Sequence, residues 1–155
     1  MADNPTIPID DIKSRMDDLF IFASQVKYGD KHPLRVIQAS KSLIGINLET
    51  PPRNLLKWLD DYVKAFNPNF SPPFPVDQNL FPETISYTHL GKLIQNKKKN
   101  ESNIYLTHLL QVADPRHIAE FLMELGAQHS PGCFLFCWSA FRSIQFLGEK
   151  DGYPI

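Results

Sequence analysis

Only two cysteines occur among the 155 residues, Cys133 and Cys137, and they lie four positions apart. So few cysteines exclude the disulfide frameworks that hold small secreted domains together. Two helical residues four apart are also too distant for an unstrained disulfide. The chain must therefore be stabilised by a hydrophobic core, and its length is sufficient to build one.

Neither sign of charge is in excess, because 16 Lys and Arg stand against 17 Asp and Glu, a formal net charge of −1 at pH 7. Proteins that bind nucleic acid or anionic lipid present a basic surface. The short run Lys97–Lys99 is too small for that role. We therefore expect neither nucleic acid nor a membrane as a partner.

Long apolar runs and signal segments are also lacking. The most apolar stretch, from His129 to Gly148, is interrupted by Arg142 and is too short to cross a bilayer. The chain begins with the acidic stretch Met1–Asp11, which does not resemble a signal peptide. We predict a soluble protein located in the cytoplasm.

Several motifs that define enzyme classes are absent. The sequence contains no Gly-rich phosphate loop, no His-Glu-x-x-His, no Gly-x-Ser-x-Gly and no Glu-x-x-His pair. These absences exclude the corresponding mechanisms, although not catalysis by residues that only the fold brings together. We predict no cofactor, and the sequence favours a protein that is not an enzyme.

Apolar residues recur at steps of three and four along most of the chain, which is the spacing of one helix face. The first segment shows the pattern best, with Ile9, Ile12, Met16, Leu19, Ala23 and Val26 on one face. We predict seven helices, at about 8–28, 33–46, 51–66, 83–96, 103–112, 115–125 and 131–147.

Capping residues set the predicted helix ends. Thr50, Ser102, Asp114 and Ser130 are the expected N-caps, and Gly126 is the expected end of the sixth helix. Between the predicted fourth and fifth helices, the run "NKKKNESN" indicates a polar turn. The β-branched and aromatic content of 103–112 leaves a strand open as the alternative there.

The middle of the chain contains five prolines in the sixteen residues 67–82. This density excludes a helix or an inner strand, while Phe70, Phe74 and Phe81 favour packing over a flexible linker. We predict a Pro/Phe-rich extended strap. The predicted fold class is all-α, a single bundle-like domain spanning 1–155 with six or seven helices. The "PPFP" run within the strap is an alternative docking motif for an aromatic groove.

The stretch from His129 to Gly148 has two interpretations. Cys133 and Cys137 fall on one apolar helical stripe, and Arg142 falls on the opposite side. Free cysteines pack well in a core, which is the preferred interpretation. The alternative is a metal or haem site on His129, Cys133 and Cys137, but a structural zinc site needs a fourth ligand and Pro131 separates His129 from the cysteines.

Other candidate binding residues are scattered. His89 and His108 lie beside apolar positions, and we expect them to be buried together, or to line a cavity, if the fourth and fifth helices pair. Phe20 and Phe22 give the first helix more apolar surface than one stripe needs. That helix is therefore covered on a second side, either internally or by a partner.

Two functions from different classes follow. The preferred hypothesis is a non-catalytic interaction or regulatory module that acts through an apolar helix surface, with a protein partner or a second copy bound there. The alternative is a small-molecule, metal or haem binder, or an enzyme, with an inter-helix pocket lined by His89, His108 and aromatic side chains. Arg142 is a further candidate binding residue.

Overall fold

The computed structural model describes residues 7–29, 31–69 and 84–148. Its regular elements in these ranges are helices, and the one β-bridge there is isolated, between Val26 and Pro68. The all-α prediction is therefore confirmed for the described chain. The seven helices are α1 (Ile9–Ser24), α2 (Pro33–Ile46), α3 (Arg53–Val63), α4 (Tyr87–Gln95), α5 (Lys99–Val112), α6 (Pro115–His129) and α7 (Pro131–Leu147).

Backbone contacts divide the chain into two compact units, Met1–Phe70 with Arg142–Ile155, and Ser71–Phe141. The first unit contains α1, α2, α3 and the end of α7, and the second contains α4, α5, α6 and the start of α7. The prediction of a single domain stays a prediction. Of the predicted strap at 67–82, all but residues 67–69 lie outside the described residues.

In the first unit, α1 and α3 both pack against α2. The ion pair between Arg15 on α1 and Asp60 on α3 connects the two outer helices, and Arg15 also approaches the Leu56 carbonyl oxygen. The side chains that fill the interior are fully or almost fully buried: Ile12, Met16, Phe20, Leu34, Ile37, Ile44, Leu56 and Leu59.

The second unit has its own apolar core, which is built by α4, α5 and α6. Leu90, Leu93, Leu109 and Ile118 form the buried cluster together with Tyr105. The Tyr105 hydroxyl accepts a hydrogen bond of 2.7 Å from the backbone N–H of Ser86. This bond satisfies the polar end of a buried ring and holds the start of α4 against α5.

Two predicted caps are confirmed. Asp114 accepts from the Arg116 N–H at 2.8 Å, and Pro115 follows it at the first helical position. Ser130 accepts from the Cys133 N–H at 3.2 Å at the start of α7.

The predicted caps Thr50 and Ser102 are wrong. Thr50 pairs instead with Asn47, which donates to its hydroxyl and accepts from its N–H, so α3 begins later, after Pro52. The Ser102 hydroxyl donates to the Lys98 carbonyl from inside α5. Helix α5 begins at Lys99, and the predicted polar turn is accordingly shorter.

Other helix bounds also differ from expectation. Helix α3 ends at Val63 instead of 66, and α4 begins at Tyr87 instead of 83. Helix α1 ends at Ser24 because Val26 leaves the helix to form its bridge with Pro68. Helix α6 continues past Gly126 to His129. Gly126 is not a stop signal but a contact point, since a Cβ placed there would lie 3.1 Å from the Cys133 backbone carbon.

Replacing Gly126 by alanine is expected to lower the free energy of unfolding by about 1–3 kcal/mol, because backbone atoms of α7 would have to move away. Gly45→Ala is the matched control, since no atom lies within 4 Å of a Cβ there. That change is expected to stabilise by about 0.5–1 kcal/mol through helix propensity. Urea unfolding of both variants measures the difference, and equal effects would contradict the close contact.

His32 is an N-cap that the sequence did not indicate. Its Nδ1 accepts from the Leu34 N–H at 3.2 Å, and Nε2 lies 3.0 Å from the Val26 carbonyl oxygen, to which it donates. Burial lowers the pKa of His32 below 6.5, and the Arg35 charge lowers it further, against the raising effect of the Val26 bond. The neutral ring is therefore the form that caps α2.

Acidification is therefore expected to remove a stabilising contribution. Because the folded protein disfavours the protonated ring, the neutral His32 cap contributes fully to stability above the unfolded pKa of 6.5. This contribution is lost as the pH falls through the lower folded pKa. His32→Asn keeps a capping oxygen but does not titrate. The wild type should lose stability relative to this variant between about pH 8 and about pH 5. A pH-independent difference in urea unfolding would contradict the assignment.

Candidate functional site

The two histidines predicted to act together have different environments. His108 on α5 is 1% exposed, whereas His89 on α4 is exposed and its ring centroid lies 4.9 Å from that of Tyr105. The expectation that both are buried together is wrong. Helix α4 turns Leu90 and Leu93 into the core, which leaves His89 at the edge of the apolar face. Neither histidine lines the three grooves described below.

The candidate metal ligands do not assemble into a site. His129 is the exposed last residue of α6, while Cys133 and Cys137 are half-buried free thiols on α7. Within residues 7–29, 31–69 and 84–148, no group of three or more His, Cys, Asp or Glu side chains is arranged to hold a metal ion. These three residues therefore form no such group.

Phe20 belongs to the interior of the first unit. It is 0% exposed, and its ring centroid lies 5.6 Å from that of Phe146. The second apolar side of the first helix was expected to be covered either by the protein's own interior or by a partner. The interior covers Phe20, so this ring is not available to a partner. Phe22 is half-buried.

Arg142 is the predicted binding residue that lies at a concave surface. The α1–α2 groove, of about 550 Å³, is bounded by α1, α2 and the end of α7. Its basic side chains are Lys13, Lys41 and Arg142, and no carboxylate is among its described lining residues. The remaining walls are mostly apolar, formed by Ile9, Ile12, Met16, Ile44, Ile46, Leu48 and Phe146.

A second concave surface, the α2–α3 groove, lies on the other side of α2 and encloses about 560 Å³. Trp58 and Tyr62 line it from α3, with ring centroids 5.2 Å apart and planes 20° from parallel. Leu43 and Arg35 line it from α2. Its described lining residues include two basic side chains, Lys31 and Arg35, and no carboxylate.

A third groove, of about 520 Å³, belongs to the second unit and is more polar. Its lining residues are Ile94, Gln95, Lys97, Leu125, Gln128 and His129. Lys97 has a positive φ of 58°, in the short turn between α4 and α5. No carboxylate or cysteine accompanies His129 among these residues, so the described lining of this groove holds no His–carboxylate or Cys–His pair.

Sequence reasoning missed Lys41, Trp58 and Tyr62 as site residues. Tyr62 follows Leu55 and Leu59 at the spacing of one apolar stripe, which is typical of a core position, and Lys41 resembles any surface lysine. Trp58 did provide a signal, because it stands outside that stripe among charged residues. A large aromatic ring outside the core face of a helix is typical of binding surfaces.

Comparisons of the chain with protein-family models, curated proteins and solved structures give no match. Among the described helices, none combines the length and apolar character needed to cross a bilayer.

The thiols provide a test of the packing on α7. Burial raises the pKa of the Cys137 thiol, and the neighbouring Cys133 raises it further. The thiolate is the reactive form of cysteine. In a folded Cys133→Ala variant at about pH 7.5, Cys137 should therefore react with a disulfide reagent severalfold more slowly than in the same variant unfolded in urea. Cys137→Ala, which leaves Cys133, is the companion variant. Reaction of folded Cys137 at the unfolded rate would contradict its burial.

Proposed function

We propose that the protein is a non-catalytic interaction module that binds a protein partner in the α2–α3 groove. The partner segment has apolar anchor residues flanked by acidic side chains. The observation that supports this proposal best is Trp58, which is 50% exposed although it stacks on Tyr62 at the wall of a groove.

The groove has the composition of a binding hot spot. Trp, Tyr and Arg are the residue types that contribute most to protein interfaces, and here Trp58, Tyr62 and Arg35 line one surface. Leu43 is also exposed beside them. A partner's apolar side chain bound between these residues would remove a substantial apolar area from water.

The charge of the groove indicates the partner's chemistry. Lys31 and Arg35 line it without a carboxylate among the described lining residues. The acids of α3 are engaged elsewhere, Asp60 with Arg15 and Asp61 with Lys64. Acidic flanking residues on the partner would therefore face opposite charge, and the partner would associate faster.

This surface differs from the one expected around Phe20 and Phe22, because Phe20 is enclosed. The three grooves give no support to the alternative pocket around His89 and His108, since none of them contains either histidine. We also infer a cytoplasmic location, which the two free cysteines favour. Self-association remains the competing occupant of the groove, and neither nucleic acid nor a membrane is proposed.

A pair of synthetic peptides tests the proposal. The first is fluorescein-labelled, has Leu and Phe at helical spacing and is flanked by Glu; the second replaces every Glu by Lys. In fluorescence anisotropy we expect the Glu peptide to bind the full chain at least about tenfold more tightly than the Lys peptide. The reason is that attractive and repulsive contacts between close charges differ by more than about 1.4 kcal/mol. In a Trp138→Phe background, binding should also shift the Trp58 emission to shorter wavelength.

Trp58→Ala is expected to weaken the Glu peptide by about tenfold or more, as for a hot-spot residue. Ile46→Ala is the matched control, since Ile46 is even more exposed, at 80%, but does not line this groove. Equal binding of both peptides, or no effect of Trp58→Ala, would refute the acidic partner. A concentration-dependent dimer that Trp58→Ala abolishes, without peptide binding, would assign the groove to a second copy instead.

A further inference from the structure

The α1–α2 groove combines basic and apolar groups in a way that packing alone does not require. Lys41 is half-buried, and its Nζ lies 4.7 Å from the centroid of the Phe146 ring. Arg142, one helical turn before Phe146, lines the same groove and donates to the neutral side chain of Gln145. Lys41 and Arg142, with Lys13 as a third cation, therefore share a surface on which no described lining residue is acidic.

The positive charges of Lys41 and Arg142 repel each other, so each raises the free energy of the other. Burial lowers the pKa of Lys41 below 10.5, and the Arg142 charge lowers it further. Both effects disfavour the charged ammonium, and the described lining residues of the groove include no carboxylate to oppose them. An anion bound between the two side chains would reverse this balance and would be held in part by the planar guanidinium, whose geometry matches a carboxylate.

The rest of the groove is suited to hydrocarbon. Its floor consists of the buried side chains of Ile12, Met16 and Ile44. Its rim consists of Ile9, Ile46 and Leu48, which are apolar and yet exposed. The volume of about 550 Å³ falls within the roughly 300–1,000 Å³ of small-molecule sites. A ligand that covered the rim would remove exposed apolar surface from water.

We propose that the α1–α2 groove binds an amphipathic monocarboxylate, a medium-chain fatty acid, with its head group on Lys41 and Arg142 and its hydrocarbon chain along Ile9, Ile46 and Leu48. This site is separate from the α2–α3 groove, so the proposal does not rest on the protein partner proposed there. The bound species is the free monomer, held by an ion pair at one end and by apolar contacts along its length.

Binding of dodecanoate to the full chain, measured by isothermal titration calorimetry below the micellar concentration, tests the proposal. Dodecanol has the same chain without the charge, and acetate has the charge without the chain. We expect dodecanoate to bind about tenfold or more tightly than dodecanol, the effect of one charge-assisted hydrogen bond, and acetate not to compete.

The variants locate the site. Arg142→Gln changes an exposed side chain. It is expected to weaken the binding of dodecanoate by about tenfold and to leave the binding of dodecanol unchanged. Lys41→Met, which keeps the apolar stem, should act in the same direction. Lys57→Gln removes an exposed cation of the first unit that does not line this groove, and it should have no effect. Circular dichroism of each variant verifies the fold.

Several results would overturn the proposal. Equal affinity for dodecanoate and dodecanol would show an apolar surface without a carboxylate site. An unchanged affinity in Arg142→Gln would place the ligand elsewhere. Binding to anionic vesicles of phosphatidylglycerol, without binding of monomeric dodecanoate, would identify the surface as a membrane contact. The peptide experiments at Trp58 are independent of all three results.

Discussion

The packing of α1 against α2 is the constraint on which the first unit and both of its grooves depend. Met16 and Phe20 on α1 and Leu34 and Ile37 on α2 are almost completely removed from water, and Phe146 extends this cluster from α7. A well-filled interior fixes the helices at one separation. The remaining surfaces of α2 are then its two flanks, one beside α1 and one beside α3. Each flank forms the wall of a groove, and this arrangement places Lys41 and Leu43 on opposite sides of one helix.

Charge is distributed in the first unit so that the grooves are basic although the chain as a whole is slightly acidic. Asp60 pairs with Arg15 across two helices, and Asp61 pairs with Lys64 within one turn. Neither of these carboxylates is among the described lining residues of the α2–α3 groove. Exposed pairs of this kind contribute little to stability. Their consequence is local, because the described lining residues of the two grooves include lysines and arginines but no carboxylate.

The helices were predictable from the sequence because apolar spacing and local capping are short-range properties. Asp114 with Pro115, and Ser130 before α7, mark their helix starts as residue chemistry requires. The errors had two sources, a distant partner in one place and competing local hydrogen bonds in others. Val26 leaves α1 early to pair with Pro68, whereas Thr50 and Ser102 bond to Asn47 and Lys98 nearby. Gly126 lies inside α6, where the approach of α7 leaves no room for a side chain. His32 caps α2 with a ring that has a second bond to Val26, which no nearby sequence pattern indicates.

The sequence by itself determined the all-α class and the helical faces, because those depend on residues within a few turns of each other. It also indicated that Arg142 points away from Cys133 and Cys137, since a helix fixes that angle. Only the tertiary structure decided that Phe20 is enclosed, that Trp58 is exposed, and that Arg142 lies beside Lys41. The physical reason is that burial and electrostatic neighbours are set by residues about a hundred positions apart, such as Lys41 and Arg142, and the fold alone brings them together.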